Sequence, residues 1–186
     1  MVIIRDKSGQ LANRLFSFAH FLGNSIEHNY KLINPSFDEY KYIYPATLSN
    51  NFEGCNVSTN IFNMPFGFFL KITKLIKKCA RSSRWHEFQD LKDDGEFFDL
   101  TQTEYLHLAS NKILFMSGWQ YRDFANLRKH RALIKNFFTP HNFIMDEVAQ
   151  HCKLAKGMAD VLIGVHIRRG DYINWKDGIY FYDDFV

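Results

Sequence analysis

Apolar positions recur first as a short run and then at helical spacing. Val2-Ile3-Ile4 ends in charge and predicts a buried strand. Ser8-Gly9-Gln10 follows as a turn. Leu11, Leu15, Phe18, Ala19 and Leu22 then share one face of a helix that begins at Leu11. Strand, glycine turn and helix open a doubly wound α/β unit. Residues 30–60 are polar and turn-rich, with Asn34-Pro35 and Tyr44-Pro45 as breakers. A second helix is predicted over residues 66–84, with Phe68, Ile72, Leu75, Ile76 and Cys79 on one side. Asp94-Gly95 lies between two apolar-polar segments, 88–91 and 97–100, and predicts a hairpin turn. Residues 112–116 read as a buried strand that runs into Ser117-Gly118-Trp119-Gln120-Tyr121. Residues 124–138 are helical by spacing and stop at Thr139-Pro140. Residues 142–156 form a further helix, with Ile144, Val148, Cys152 and Ala155 on one side and Gly157 as its stop. Residues 161–167 are almost all apolar and predict a central parallel strand covered on both faces.

Composition narrows the class. The 186 residues are 46% hydrophobic and 17% aromatic, enough to bury a core and unlike a disordered chain. A net charge of +3 is too small an excess to argue for nucleic acid, and no nucleic-acid partner is expected. Cys55, Cys79 and Cys152 are odd in number and widely spaced, which fits reduced thiols in a cytoplasmic protein better than a disulfide framework. The first seven residues lack the apolar core of a signal peptide, and no run of about 18 apolar residues predicts a membrane span. One charge feature stands out: residues 66–86 contain Lys71, Lys74, Lys77, Lys78, Arg81 and Arg84 and no acid. That pattern describes a solvated basic face, an interfacial helix in peripheral contact with anionic lipid at the inner face of a membrane, or a basic surface for another partner.

The richest chemistry follows the last predicted strand, in His166-Ile167-Arg168-Arg169-Gly170-Asp171-Tyr172. A buried strand would deliver two arginines, a glycine and a carboxylate to its carboxyl end, where ligands bind in α/β sheets. Arginine grips phosphate oxygens with a planar fork. Alternation puts His166 and Arg168 on one side of the strand. The residues alone leave a plainer reading open, with Arg169 and Asp171 as a surface ion pair and His166 packed in a core. Asp93-Asp94 and Asp183-Asp184 lack the Asp-x-Asp spacing of metal-dependent glycosyl transfer, and no His/Cys cluster has metal-ligand spacing, so no metal site is expected. Trp85, Trp119 and Trp175 are candidates for sugar stacking or for ordinary packing.

Three of these segments carry a resemblance. Gly9-Gln10-Leu11-Ala12-Asn13-Arg14-Leu15-Phe16 resembles the N-terminal glycine/asparagine motif of the α-1,2-fucosyltransferases, glycosyltransferase family 11. His166 to Tyr172 resembles that family's His-x-Arg-Arg-Gly-Asp-Tyr motif, and Gly118-Trp119-Gln120-Tyr121 is similar to a third segment. The resemblance implies a GT-B-like fold: a Rossmann-type acceptor-side lobe, here residues 1–157, facing a GDP-sugar-binding lobe whose first strand and start would be residues 158–186. It implies a hexosyltransferase, galactoside 2-alpha-L-fucosyltransferase-like, that moves fucose from GDP-β-L-fucose to a hydroxyl of a glycan acceptor. Transfer would proceed with inversion and with neither metal nor other cofactor, in surface glycan synthesis. Carried across, Arg168 would contact the diphosphate and stabilise the departing GDP. His166 would position that arginine or touch the donor, Asn13 would approach the donor from the opposite lobe, and Gly9 would permit close backbone approach. Asp171 would orient its loop, while the base stays open among Asp6, Glu39 and residues beyond Val186.

Two departures alter the expectation. The family's usual Gly-Asn-Gln is Ala12-Asn13-Arg14 here, which adds a methyl group and exchanges an amide for a charge. Fifteen residues follow Asp171, whereas the resembled donor lobe continues well beyond that point. The chain is therefore expected to be either a fragment of a longer product or the product of a degenerate reading frame, with its own activity left open. The alternative is a non-catalytic carbohydrate or membrane-surface module that keeps the N-terminal lobe.

Overall fold

The computed structural model describes residues 1–61, 64–91, 96–159, 161 and 163–165. Contacts divide the chain into two compact units, Met1–Asn142 and Phe143–Val186.

The first unit is built on a five-stranded parallel sheet. Its strands are β1 (Val2–Ile4), β2 (Leu32–Ile33), β3 (Val57–Ser58), β4 (His86–Asp90) and β6 (Ile113–Ser117), in the order β3-β2-β1-β6-β4. This is the expected mixed α/β lobe, compatible with a Rossmann-like unit. Two further strands, β5 (Phe98–Asp99) and β7 (Tyr121–Arg122), pair in parallel as a separate sheet. The helices of this unit are α1 (Leu11–His28), α2 (Phe66–Cys79), α3 (Thr103–Asn111), α4 (Phe124–Lys129) and α5 (Arg131–Phe137).

Strand alternation sends neighbouring side chains into different cores. Val2, Ile4, Leu32, Val57, Leu114 and Met116 join Phe18 and Leu22 of α1, Tyr105 of α3 and Phe137 of α5. Ile3, Ile33, Phe88 and Phe115 point the other way and meet Phe69 of α2. Phe88 and Phe115, opposite each other in register, stack at 4.5 Å between ring centroids.

A buried polar network ties α1 to the β7–α4 corner. The Asp123 carboxylate accepts from Asn24 Nδ2 at 2.7 Å, Asn126 Nδ2 at 2.7 Å and the Asn126 amide at 2.9 Å. Asn24 also donates to the Leu100 carbonyl, and its own oxygen accepts from the Tyr30 hydroxyl at 2.7 Å. Tyr30 is 3.0 Å from the Tyr105 hydroxyl, which completes the chain as donor. Burial pushes both phenols up.

His20 packs beside this network, and its Nδ1 accepts from the Asp123 amide at 2.9 Å. The neutral ring therefore carries its proton on Nε2, which has no partner among the described residues. Burial lowers the pKa of His20, and the Arg122 guanidinium lowers it further. Between the ordinary value of 6.5 and the depressed folded value, the unfolded chain binds more protons than the folded one. Stability is expected to fall as pH drops below about 6.5. Urea midpoints at pH 7.5 and 5.5 check this, and the drop should shrink in His20→Gln, whose amide oxygen can still accept from Asp123. Equal midpoints for the wild type would contradict the assignment.

Several sequence expectations need correction. Segments 88–91 and 97–100 do not form a hairpin: β4 and β5 belong to different sheets and each pairs in parallel with a later strand. Asp94-Gly95 itself lies outside the described residues. Helix α2 stops at Cys79 rather than at 84, because the chain turns extended at Ala80 and leads into β4. Its buried side carries Phe69 and Thr73, whereas Phe68 and Leu75 are 56% and 64% exposed. The helix over 124–138 is interrupted at His130 and forms two.

In the second unit, α6 (Asn142–Met158) is the expected helix, but it buries no residue. Of the strand predicted over 161–167, the described residues 161 and 163–165 carry no strand, and Val161, Ile163 and Val165 are at least three-quarters exposed. A parallel strand needs neighbours and two covering layers, and the described residues of this unit supply only α6.

Candidate functional site

Strand order reverses between β1 and β6. From β1 the chain steps to β2 and β3 on one side, while β6 and β4 fill the other. Ligands of open α/β sheets bind outside the carboxyl ends of strands at such a switch point. Here those ends carry Arg5 and Asp6 after β1, and Ser117, Gly118 and Trp119 at β6. The glycine turn and the first turn of α1 lie beside them.

The turn's geometry explains its residues. Gly9 has φ +71°, a left-handed conformation that a side chain makes costly. A Cβ at Gly9 would sit 2.4 Å from Asn13 Nδ2 and 2.9 Å from Asn13 Cβ, so the structure brings these two predicted site residues together. Gly9→Ala is expected to cost about 1–3 kcal/mol and to displace Asn13. Urea denaturation reads the first effect and donor affinity the second; wild-type values for both would show that the turn tolerates a side chain.

Arg14, a departure from the family's pattern, is a tether. Its Nε donates to the Gly9 carbonyl at 2.9 Å, its guanidinium pairs with Glu39, and it lies over the Tyr40 ring. Lys7 binds the same acidic pair, at 2.6 Å from Asp38 and 3.7 Å from Glu39. The glycine turn is thus fixed to the segment that follows β2. Glu39 is committed to two cations.

Asp6 is placed differently. It accepts from the Gly118 amide at 3.1 Å and from the Ser8 hydroxyl at 3.2 Å, so it couples the ends of β1 and β6. Burial nevertheless raises its pKa, outweighing those hydrogen bonds and Arg5. Gly118 has φ +106°, and a Cβ there would approach the Leu91 carbonyl at 3.0 Å. Arg5 closes the floor by donating from Nε to Ser117 Oγ at 3.0 Å.

Helix α1 presents an open N-terminus to this edge. Gln10 makes no side-chain cap, and the first turn contains no acid. Its free amides and the helix dipole can receive an anion. Trp119 is half-buried under the Arg122 guanidinium, which also lies over Phe16. The pit among Asp6, Arg14, Ser17, Asn34 and Gly118 measures about 10 Å³, room for one water. A larger ligand must therefore lie across the edge rather than in the pit.

Gly9 and Asn13 are the predicted site residues that the structure places here. His166, Arg168 and Asp171 lie outside the described residues, as does Trp175. Reading the sequence singled out neither Asp123 nor Arg14's tethering role. The N-cap spacing of Asp123 and Asn126 was the available signal for the first, and the second needs Glu39, 25 residues away.

No curated protein and no solved structure matches the chain. The family model for glycosyl transferase family 11 matches residues 11–182, which takes in Asn13, the Gly118 segment and the His166–Tyr172 motif. The chain belongs to glycosyl transferase family 11 and is a fucosyltransferase-like glycosyltransferase.

Proposed function

We propose that the protein transfers fucose from GDP-β-L-fucose to a sugar hydroxyl, with inversion and without a metal, in the assembly of a surface glycan. The supporting observation is the pairing of Gly9 with Asn13 at the switch point, in a chain of this family. The described lobe would be the acceptor side of a two-lobed enzyme.

In this reading the acceptor oxygen attacks C1 of fucose as the bond from C1 to the diphosphate oxygen breaks. The electron pair leaves with GDP, and the hydroxyl proton passes to a base. Arg168 meets the charge developing on the diphosphate. Asn13 approaches the donor from the α1 side, and the open amides of α1 favour an anion there. Asp6 suits the base role better than Glu39: burial raises its pKa, whereas Glu39 is held by Arg14 and Lys7.

The reading includes contact with the inner face of a membrane through α2, while the protein stays on the cytoplasmic side. Phe68 and Leu75 are exposed among Lys71, Lys74 and Lys78, which suits an interfacial helix. No helix among the described residues is long and apolar enough to cross a membrane.

Incubation with radiolabelled GDP-fucose and a panel of galactosides tests the activity. Labelled product is expected, undiminished by EDTA. Loss of product with EDTA would overturn the metal-free step. Donor binding without product on any galactoside would favour the non-catalytic carbohydrate module.

A further inference from the structure

The two faces of the main sheet are covered unequally. One lies under residues of α1, α3 and α5. The other, with Ile3, Ile33 and Phe115, meets one helix among the described residues, the 14-residue α2. Beside that helix is a cavity of about 540 Å³, inside the range of roughly 300–1,000 Å³ that ligand pockets occupy. Its walls are mostly apolar, from Ile3, Ile33 and Phe115 on the sheet to Ile72 and Ile76 on α2.

The charged side chain in the described wall is a cation, Lys31, while the Met1 amino group is spent on the carbonyls of Ala109 and Lys112. Two of the nearby hydroxyls are already committed. Ser58 Oγ donates to Asn50 Oδ1 and the Asn60 carbonyl, and Thr73 Oγ1 donates to the Leu70 carbonyl. An occupant with its own amides would find no partner along the isoleucine and phenylalanine wall, whereas an alkyl chain has none to satisfy. On the outer side of α2, Lys71, Lys74 and Lys78 are exposed and make no ion pair among the described residues, while Lys77 and Arg81 are held by Asp90.

We propose that this cavity takes an acyl chain of an anionic phospholipid drawn from a membrane surface, with the head group held by Lys31. The site extends the membrane contact proposed above and is independent of sugar transfer. A covering polypeptide is disfavoured by the mostly apolar wall, and a zwitterionic lipid by Lys31, beside which the described wall carries no acid.

The test uses the 186-residue chain and dioctanoyl phosphatidylglycerol below its critical micelle concentration, followed by calorimetry. One saturable site is expected, with at least about tenfold weaker binding of dioctanoyl phosphatidylcholine. Ile76→Trp and, separately, Ile72→Trp should fill the cavity and weaken binding by about tenfold or more, with circular dichroism reporting that each variant is folded. Absence of a saturable site, or wild-type affinity in both folded variants, would overturn the proposal. Co-sedimentation with phosphatidylglycerol/phosphatidylcholine vesicles separates the two lipid readings. Binding lost on Lys71→Glu/Lys74→Glu/Lys78→Glu, without binding of the monomeric lipid, would leave surface contact standing and remove the cavity site. GDP-fucose turnover is not read, so failure of the transferase reading leaves this result unchanged.

Discussion

Asp123→Ala is expected to cost the fold about 3–5 kcal/mol. Asp123 is 1% exposed, and its carboxylate is the acceptor for three N–H groups from Asn24 and Asn126. Alanine leaves those donors buried and unpaired, which costs more than the hydrogen bonds were worth. It also removes the N-cap of α4, whose first turn relies on that carboxylate. The damage should spread through Asn24 to Tyr30 and Tyr105, because each hydroxyl is held by the next group in line. Asp123→Asn keeps one acceptor oxygen but turns an amide N–H toward other donors, so it should lose about 1–3 kcal/mol. Against a total stability of about 5–15 kcal/mol, the alanine variant would unfold at far lower urea. A loss below about 1 kcal/mol would mean that water replaces the carboxylate and that the network is not a keystone.

Arg168→Ala should lower turnover by about 10²–10³ in the active enzyme. A guanidinium aimed at a leaving diphosphate is worth most when charge has developed there, so kcat should fall more than KM rises. Arg168→Lys should recover only part of the rate, because an ammonium supplies charge without the bidentate fork. Steady-state kinetics with GDP-fucose as the varied substrate separates the outcomes. Turnover near wild type in Arg168→Ala would remove this residue from the mechanism.

The elements that could be read from sequence are those whose signal is local. Val2-Ile3-Ile4 and the face through Leu11, Leu15, Phe18, Ala19 and Leu22 gave β1 and α1 because each pattern is complete within a few residues. Strands β2 and β3 were hidden, since two residues each cannot show alternation. Helix α2 offered two apolar faces through adjacent Phe68 and Phe69. Packing against Phe88 and Phe115 selected the face with Phe69, a choice made by residues of other elements. The false hairpin arose for a similar reason. A turn dipeptide between two short strands fits an antiparallel pair, but β4 found β6 and β5 found β7.

The candidate site divides along the same line. Gly9 and Asn13 lie four residues apart in a turn that enters a helix, and the family resemblance of that segment marked them as site residues. The Asp6–Gly118 bond spans 112 residues and depends on β1 and β6 becoming neighbours, which no local pattern encodes. The network joining His20, Asn24, Tyr30, Tyr105 and Asp123 is equally non-local.

Calorimetric titration of GDP-fucose into the purified chain, with GDP-mannose as the control, tests donor recognition most directly. One saturable site is expected, tighter for GDP-fucose than for GDP-mannose and weakened by Asn13→Ala. Absence of binding in a folded sample, or equal affinity for the two sugars, would contradict assignment of a GDP-fucose site to this chain.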